Sequence, residues 1–171
     1  MSAAPARRLR AAVVTVSDKA SAGLRADASG PVLQALLRGL GAEVGEPVVI
    51  PDDQAQIEQT LAAIADADEV DLVLTTGGTG LAPRDRTPEA TLAVADRLVP
   101  GFGETMRAQA LEVTPHAMLS RAVAAVRNKT LIINLPGSPK ACREHFAVIA
   151  PVLGHAIETL RGEASECAGR G

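Results

Sequence analysis

The chain has no tryptophan, no tyrosine and only two phenylalanines among its 171 residues. Platforms for stacking bases are therefore nearly absent, and a formal net charge of -3 gives no basic field to attract a phosphate backbone. A nucleic-acid polymer is not an expected partner. A nucleotide monomer stays open, because backbone amides and a metal ion can hold its phosphates. Cysteine is equally scarce: Cys142 and Cys167 lack Cys-x-x-Cys spacing and a neighbouring ligand cluster, so they read as reduced thiols. No apolar run reaches the roughly 20 residues of a membrane span. The N-terminal MSAAPARRLR passes into a short strand pattern instead of a signal sequence. The expected location is the cytoplasm, away from membranes.

What the chain does have is 47% hydrophobic and 22% charged residues, enough for one core. A single domain over 1–162 with a flexible tail over 163–171 is the expected organisation. Leu9 to Asp18 is Val-rich without helical spacing and reads as a buried strand opening onto a polar loop. Val32, Leu33, Leu36, Leu37 and Leu40 then share a helical face, with Ser29 as cap and Gly41 as stop. EVGEPVVIPDD predicts a second strand, and Ile57, Leu61 and Ile64 a second helix capped by Asp53. VDLVLTT, apolar throughout, predicts a strand covered on both faces. Helices are expected over TPEATLAVADRL and FGETMRAQALEV, a strand over TLIINLPGSP, and a long helix with a kink at Pro151 to close the domain. The alternation indicates an α/β fold with a largely parallel sheet.

In such sheets ligands bind outside the carboxyl ends of strands. Four polar loops qualify: Ser17 to Gly30, Pro51 to Gln54, Thr75 to Thr87 and Asn134 to Lys140. Gly77, Gly78, Thr79 and Gly80 form a glycine-rich turn whose amides can cradle an anion, although it matches neither a Walker A loop nor a dinucleotide fingerprint. Thr87 reads as a helix cap preceding Pro88. Asp52 and Asp85 lie on separate loops that the sheet would bring to one crevice, and one or two carboxylates suit Mg²⁺ completed by substrate phosphates. A helix cap for Asp52 or Asp53, and a turn contact or an ion pair with Arg84 or Arg86 for Asp85, are the structural alternatives. Asp18, Asp27 and Ser29 can add ligands, with Ser17 beside them; Asn134, Pro136, Gly137, Ser138 and Lys140 lie at the exit of the last strand. His116, His145 and His155 have no metal spacing and read as surface or packing residues. Ser120 has no nearby base, which disfavours a serine hydrolase.

Taken together, TVSD, the Asp27 to Pro31 segment DASGP, IPDD, DLVLTTGGTG with PRD and TPEAT, PGFGETMR, TPHAMLSR and LIINLPGSPKA resemble one family. It is the MogA-type molybdenum-cofactor biosynthesis domain, also found as the G domain of gephyrin and of plant cofactor-synthesis proteins. The resemblance covers nearly the whole chain and implies a three-layer α/β sandwich around a mostly parallel, mixed sheet, usually as a homotrimer.

The activity implied is transfer of AMP from ATP, with Mg²⁺, to the terminal phosphate of molybdopterin. By the same resemblance Asp52 and Asp85 serve Mg-ATP as catalytic and metal residues, and Gly77 to Gly80 line the pterin-phosphate and nucleotide crevice. Ser120 and Asn134 match substrate-site positions. Hand-over of the product to a MoeA-type molybdate-insertion protein is a further implied partnership. Two positions depart from the pattern: Ala110 stands where a serine is found in the family, and Ser138 where asparagine is common. A non-catalytic molybdopterin-binding paralogue is the alternative function, which the two retained aspartates weigh against. A MoeA-type insertion domain would bring further domains.

Overall fold

The computed structural model describes residues 7–163, and the expected flexible tail beyond Glu163, with Cys167, lies outside the described residues. Seven strands form one sheet. In chain order they are β1 (Arg10–Val16), β2 (Glu43–Val44), β3 (Val48–Ile50), β4 (Leu72–Thr76), β5 (Arg97–Leu98), β6 (Ala124–Arg127) and β7 (Thr130–Leu135). The spatial order is β2-β1-β4-β7-β6-β5, with β3 also beside β1. β1, β2, β3, β4 and β7 run parallel, and β6 and β5 add an antiparallel edge.

Strand registers separate the side chains onto two faces, as the two-residue period requires. Val13, Leu72, Leu74, Leu131 and Ile133 join one core with Leu33, Leu37, Met106, Phe146, Ile149 and Leu153. Those partners come from α2 (Ser29–Gly39), α5 (Pro100–Leu111) and α6 (Pro139–Arg161). Val14, Val16, Val73 and Ile132 join the other with Ile57, Leu61, Ala90 and Val94, from α3 (Gln54–Asp66) and α4 (Thr87–Val94). This is the expected three-layer sandwich. Every β4 residue is buried, consistent with its central parallel position. Truncating a fully buried leucine such as Leu61 to alanine would cost about 2–5 kcal/mol.

Several local expectations change. EVGEPVVI holds two short strands instead of one. The helix over TPEATLAVADRL ends at Val94, where Ala95 turns extended and the chain enters β5. β6 forms in a segment without strand periodicity. A four-residue helix, α1 (Asp18–Ser21), follows Ser17, and a short 3-10 helix spans Pro115–Leu119. Asp53 does cap α3, accepting from the Gln56 amide at 2.9 Å, and Gly41 follows α2 at φ +82. Ser29 does not cap α2: it is the helix's first residue, and Asp27 receives the Gly30 amide at 3.0 Å instead. Thr87 is likewise inside α4, not its cap. α6 continues through Pro151 to Arg161, where Gly162 closes it at φ +73.

Candidate active site

Loops leaving β1, β3, β4 and β7 meet at the carboxyl edge of the sheet. Gly77 and Gly78 follow β4 at φ +97 and φ +67, a region glycine enters without steric penalty. A β-carbon at Gly77 would collide with the Val16 carbonyl oxygen, and one at Gly78 with Thr87 Oγ1 while lying 3.3 Å from Asp52 Oδ1. Both glycines are therefore required for close approach between loops. The Thr87 hydroxyl, fully buried, donates to the Gly77 carbonyl at 2.9 Å, and the Thr87 amide donates to the Gly78 carbonyl at 3.1 Å. The residue that reads as a cap instead fastens the glycine turn to α4.

Asp52 and Asp85 line the same crevice, whose volume is about 620 Å³. Asp52 Oδ2 accepts from the Asp18 amide at 2.8 Å, and Asp85 Oδ2 accepts from the Ala82 amide at 3.0 Å. Each carboxylate thus has one oxygen oriented by the backbone, leaving its other oxygen available to a ligand. Burial pushes the Asp52 pKa up, reinforced by the negative charges of Asp18 and Asp85 and opposed by the Asp18 amide and Arg84. A divalent cation is what two such carboxylates can accept. No group of three or more His, Cys, Asp or Glu side chains suited to a metal occurs among the described residues. Asp52 and Asp85 could supply two oxygens to such an ion, with the rest of its shell left to other donors.

Arg84 pairs with Asp18, at 2.5 Å from Nε and 2.8 Å from Nη2, so the ion pair with neighbouring Asp85 does not form. This interaction holds the Asp18 carboxyl below the ordinary range.

The other candidate residues divide into three groups. Asp27, Ser29, Gly77, Gly78 and Gly137 line the crevice with the two aspartates. Asp27 is committed there to the Thr15 hydroxyl at 2.8 Å and the Gly30 amide, so it orders the wall. Gly80, Ser120 and Pro136 line a second cavity of about 280 Å³. Gly77 through Gly80 thus run between the two spaces.

Ser17, Thr79 and Asn134 line neither. Ser17 caps α1 through the Ala20 amide at 3.2 Å. Asn134 is fully buried: Oδ1 accepts from the Val123 amide at 3.3 Å, while Nδ2 donates to Thr75 at 3.0 Å and Thr91 at 2.9 Å. Its amide ties strands to α4 behind the loops. Lys140 is 80% exposed and lies 3.7 Å from Glu144, one turn on, a solvated pair. Ser138 lines the crevice and caps α6 through the Ala141 amide at 3.1 Å.

Sequence reasoning missed Arg121. Its Nε donates to the Gly80 carbonyl at 2.7 Å, Nη2 donates to the Asp85 carbonyl at 2.6 Å, and Nη1 pairs with Glu89. The Arg121 amide also donates to the Thr79 carbonyl at 2.9 Å. One side chain therefore holds the glycine turn, the Asp85 segment and α4 together. The sequence signal was an arginine just beyond Ser120, with nothing local to name its distant acceptors.

The chain is 53% identical over 138 residues to the molybdopterin adenylyltransferase of Haemophilus influenzae, covering 80% of this chain and 70% of that protein. It is 47% identical over 151 residues to the enzyme of the same name from Escherichia coli K12, covering 87% and 77%. The crystal structure of the molybdopterin biosynthesis enzyme MoaB from Thermus thermophilus superposes with a TM-score of 0.85 at 49% identity, covering 90% of this chain and 97% of that one. A family model described as a probable molybdopterin binding domain, MoCF_biosynth, matches residues 12–155, and the chain belongs to that molybdenum-cofactor biosynthesis family.

Proposed function

We propose that the protein is a molybdopterin adenylyltransferase, moving AMP from Mg-ATP to the terminal phosphate of molybdopterin with release of pyrophosphate. The carrying observation is the pair Asp52 and Asp85, delivered by separate loops to one crevice, each with a single oxygen fixed by a backbone amide. In the reaction a phosphate oxygen of the pterin bonds to the α-phosphorus of ATP as the bond from that phosphorus to the bridging oxygen breaks. Pyrophosphate carries away the bonding electrons.

Asp52 and Asp85 would hold Mg²⁺, which supplies charge neutralisation for the triphosphate. The chain's own task is positioning. ATP is assigned to the larger crevice, beside Gly77, Gly78, Asp27 and Ser29, and the pterin to the smaller cavity beside Gly80, Ser120 and Pro136. The glycine turn between the cavities lets the two phosphate ends approach a common backbone surface. At Ala110, which lines the smaller cavity, no hydroxyl is offered to the pterin. With so few rings in the chain, aliphatic walls and polar edges replace stacking.

The assembly is proposed to be a homotrimer, supported by exposed apolar side chains at Val113 and Met118, both 65% exposed. The product would pass to a MoeA-type insertion protein. A cytoplasmic setting fits the ATP requirement and the free thiol of Cys142, and no described helix is long and apolar enough to cross a membrane.

The test is pyrophosphate release with molybdopterin, ATP and Mg²⁺, comparing wild type and Asp85→Ala. Turnover by wild type and a loss of at least about a hundredfold in the variant is expected for removal of a transition-state charge ligand. Wild-type protein that binds the pterin but forms no adenylylated product would leave the binding-only reading in its place.

A further inference from the structure

The 620 Å³ crevice is lined by three carboxylates, Asp27, Asp52 and Asp85, and by one cationic side chain, Arg25. A polyanion entering it meets more like charge than opposite charge. Asp52 and Asp85 together balance the charge of one divalent ion, so with that ion in place the phosphates of a nucleotide still lack a counter-charge. The neighbouring arginines are already committed: Arg84 is held by Asp18, and Arg121 by Glu89 and two backbone carbonyls. Arg25 has no carboxylate within ion-pair distance among the described residues, and its side chain reaches only Ser17 Oγ, 3.4 Å from Nη2. Asp27, two residues on, is taken up by the Thr15 hydroxyl and the Gly30 amide.

The backbone at Arg25 is fixed although its side chain is not. After α1 the Gly23 amide donates to the Ala20 carbonyl at 3.1 Å, and the Leu24 and Arg25 amides both donate to the Lys19 carbonyl, at 2.9 and 3.3 Å. Gly23 permits this reversal at φ +71. The turn thus holds Arg25 at the crevice with its guanidinium fork unspent, a planar donor set that matches phosphate oxygens.

Sheet order indicates which phosphates it meets. β4 lies between β1 and β7, so the glycine turn after β4 has the β1 loop on one side and the β7 exit on the other. The smaller cavity, with Ser120 and Pro136, is on the β7 side, and Arg25 is on the β1 side, against Ser17. Attacking and leaving oxygens lie roughly in line in such transfers. An α-phosphorus at the turn, attacked from the β7 side, therefore directs its leaving oxygen towards β1 and Arg25.

We propose that Arg25 grips the β- and γ-phosphates of ATP and stabilises the charge that passes to pyrophosphate as the bond to the α-phosphorus breaks. That the polyphosphate belongs to ATP rests on the adenylyltransferase reading; the place of the cation rests on the crevice.

The test is equilibrium binding of ATP, AMP, inorganic pyrophosphate and molybdopterin, each with Mg²⁺, to wild type, Arg25→Ala and Arg25→Lys, beside steady-state turnover. Arg25→Ala should weaken ATP and pyrophosphate about tenfold, the low end for a hydrogen bond between charged groups. AMP and molybdopterin affinities should be unchanged, and so should the melting temperature, because the side chain is exposed. Turnover should fall as well, since charge on the leaving group grows in the transition state. Arg25→Lys should recover part of the pyrophosphate affinity, having the charge without the fork. Unchanged ATP and pyrophosphate affinity in Arg25→Ala would overturn the inference, as would an equal loss for AMP, which would put Arg25 beside the nucleoside or the α-phosphate. Arg25-dependent pyrophosphate binding in a protein that makes no adenylylated product would instead remove the adenylyltransferase reading and leave the contact standing.

Discussion

Asp18 and Asp52 exchange hydrogen bonds across two loops: the Asp18 amide donates to Asp52 Oδ2 at 2.8 Å, and the Asp52 amide donates to Asp18 Oδ1 at 3.0 Å. Arg84 takes the outer side of Asp18, so the loops after β1, β3 and β4 are joined through one carboxylate. Asp18 is therefore a positioning residue for Asp52. Asp18→Ala is expected to raise the KM for Mg-ATP about tenfold, the equivalent of roughly 1.4 kcal/mol in placement of one ligand. Melting temperature should change little, because the Arg84 pair is exposed. Steady-state kinetics with both substrates varied checks this, and an unchanged KM for Mg-ATP would contradict the role.

Gly78→Ala tests the glycine turn. Its φ of +67 disfavours any β-carbon, and the added carbon would meet Thr87 Oγ1, the hydroxyl that holds the Gly77 carbonyl. The expected cost is about 1–3 kcal/mol of stability, with a larger loss of turnover because the turn faces both cavities. Thr87→Val removes the hydroxyl but leaves the backbone shape, so it should lose a comparable amount of stability and retain more activity than Gly78→Ala. Urea titrations beside initial rates separate the two; a Gly78→Ala protein with wild-type turnover would show that the turn does not approach substrate.

Arg121→Lys asks whether a charge or a planar fork is needed. Arg121 reaches the Gly80 carbonyl, the Asp85 carbonyl and the Glu89 carboxylate at once, which a single ammonium cannot reproduce. Burial raises the Glu89 pKa, but the hydrogen bond from Arg121, a backbone hydrogen bond and the charges of Arg121 and Arg86 together outweigh it and hold that carboxyl below its ordinary range. The expected result is a fall in kcat of about ten- to a hundredfold from a misplaced Asp85, with the charge at the site conserved. Wild-type kcat in Arg121→Lys would mean that the turn is ordered without the fork.

The parallel centre of the sheet was legible because β1, β4 and β7 are continuous apolar runs, and α2 and α3 because Leu33, Leu37, Ile57 and Leu61 follow the helical period. β6 was not legible, since Ala124–Arg127 has strand character only through its pairing with β7 and β5. β5 was hidden in an apparently continuous helix that stops at Ala95. At the site, the sequence pointed to the four loops, while the interactions joining them depend on long-range contacts. Thr87 looks like a cap because its local pattern is that of a cap, and only the fold brings the Gly77 carbonyl to its hydroxyl. Asn134 stands at a strand exit in the sequence, and only the fold shows its amide bonded to Thr75 and Thr91 below the loops. Arg121 and Asp18 act on residues 30 or more positions away, beyond the reach of any local periodicity.

Asp71, at the opposite edge of the sheet, supplies a test of stability separate from the site. Its carboxylate is almost fully buried and receives the Arg10 amide at 2.8 Å, Arg10 Nη2 at 3.0 Å and Arg161 Nε at 3.1 Å, tying β1 to the end of α6. Burial alone would raise the Asp71 pKa, but the hydrogen bonds from Arg10 and Arg161 outweigh it and the folded value lies below the ordinary 3.8. A carboxyl depressed on folding contributes stability fully above the unfolded value and loses it as pH falls through the folded one. Asp71→Asn leaves the buried Arg161 with only the half-exposed Glu163 carboxylate, 3.8 Å from Nη1, and should cost about 3–5 kcal/mol at neutral pH. The gap between wild type and variant should stay level down to about pH 5 and narrow below the ordinary aspartate value, because protonation then removes the same charge from wild type. Urea unfolding across this range measures the gap, and a gap that widened on acidification would reverse the assignment of Asp71 as the charged member of the cluster.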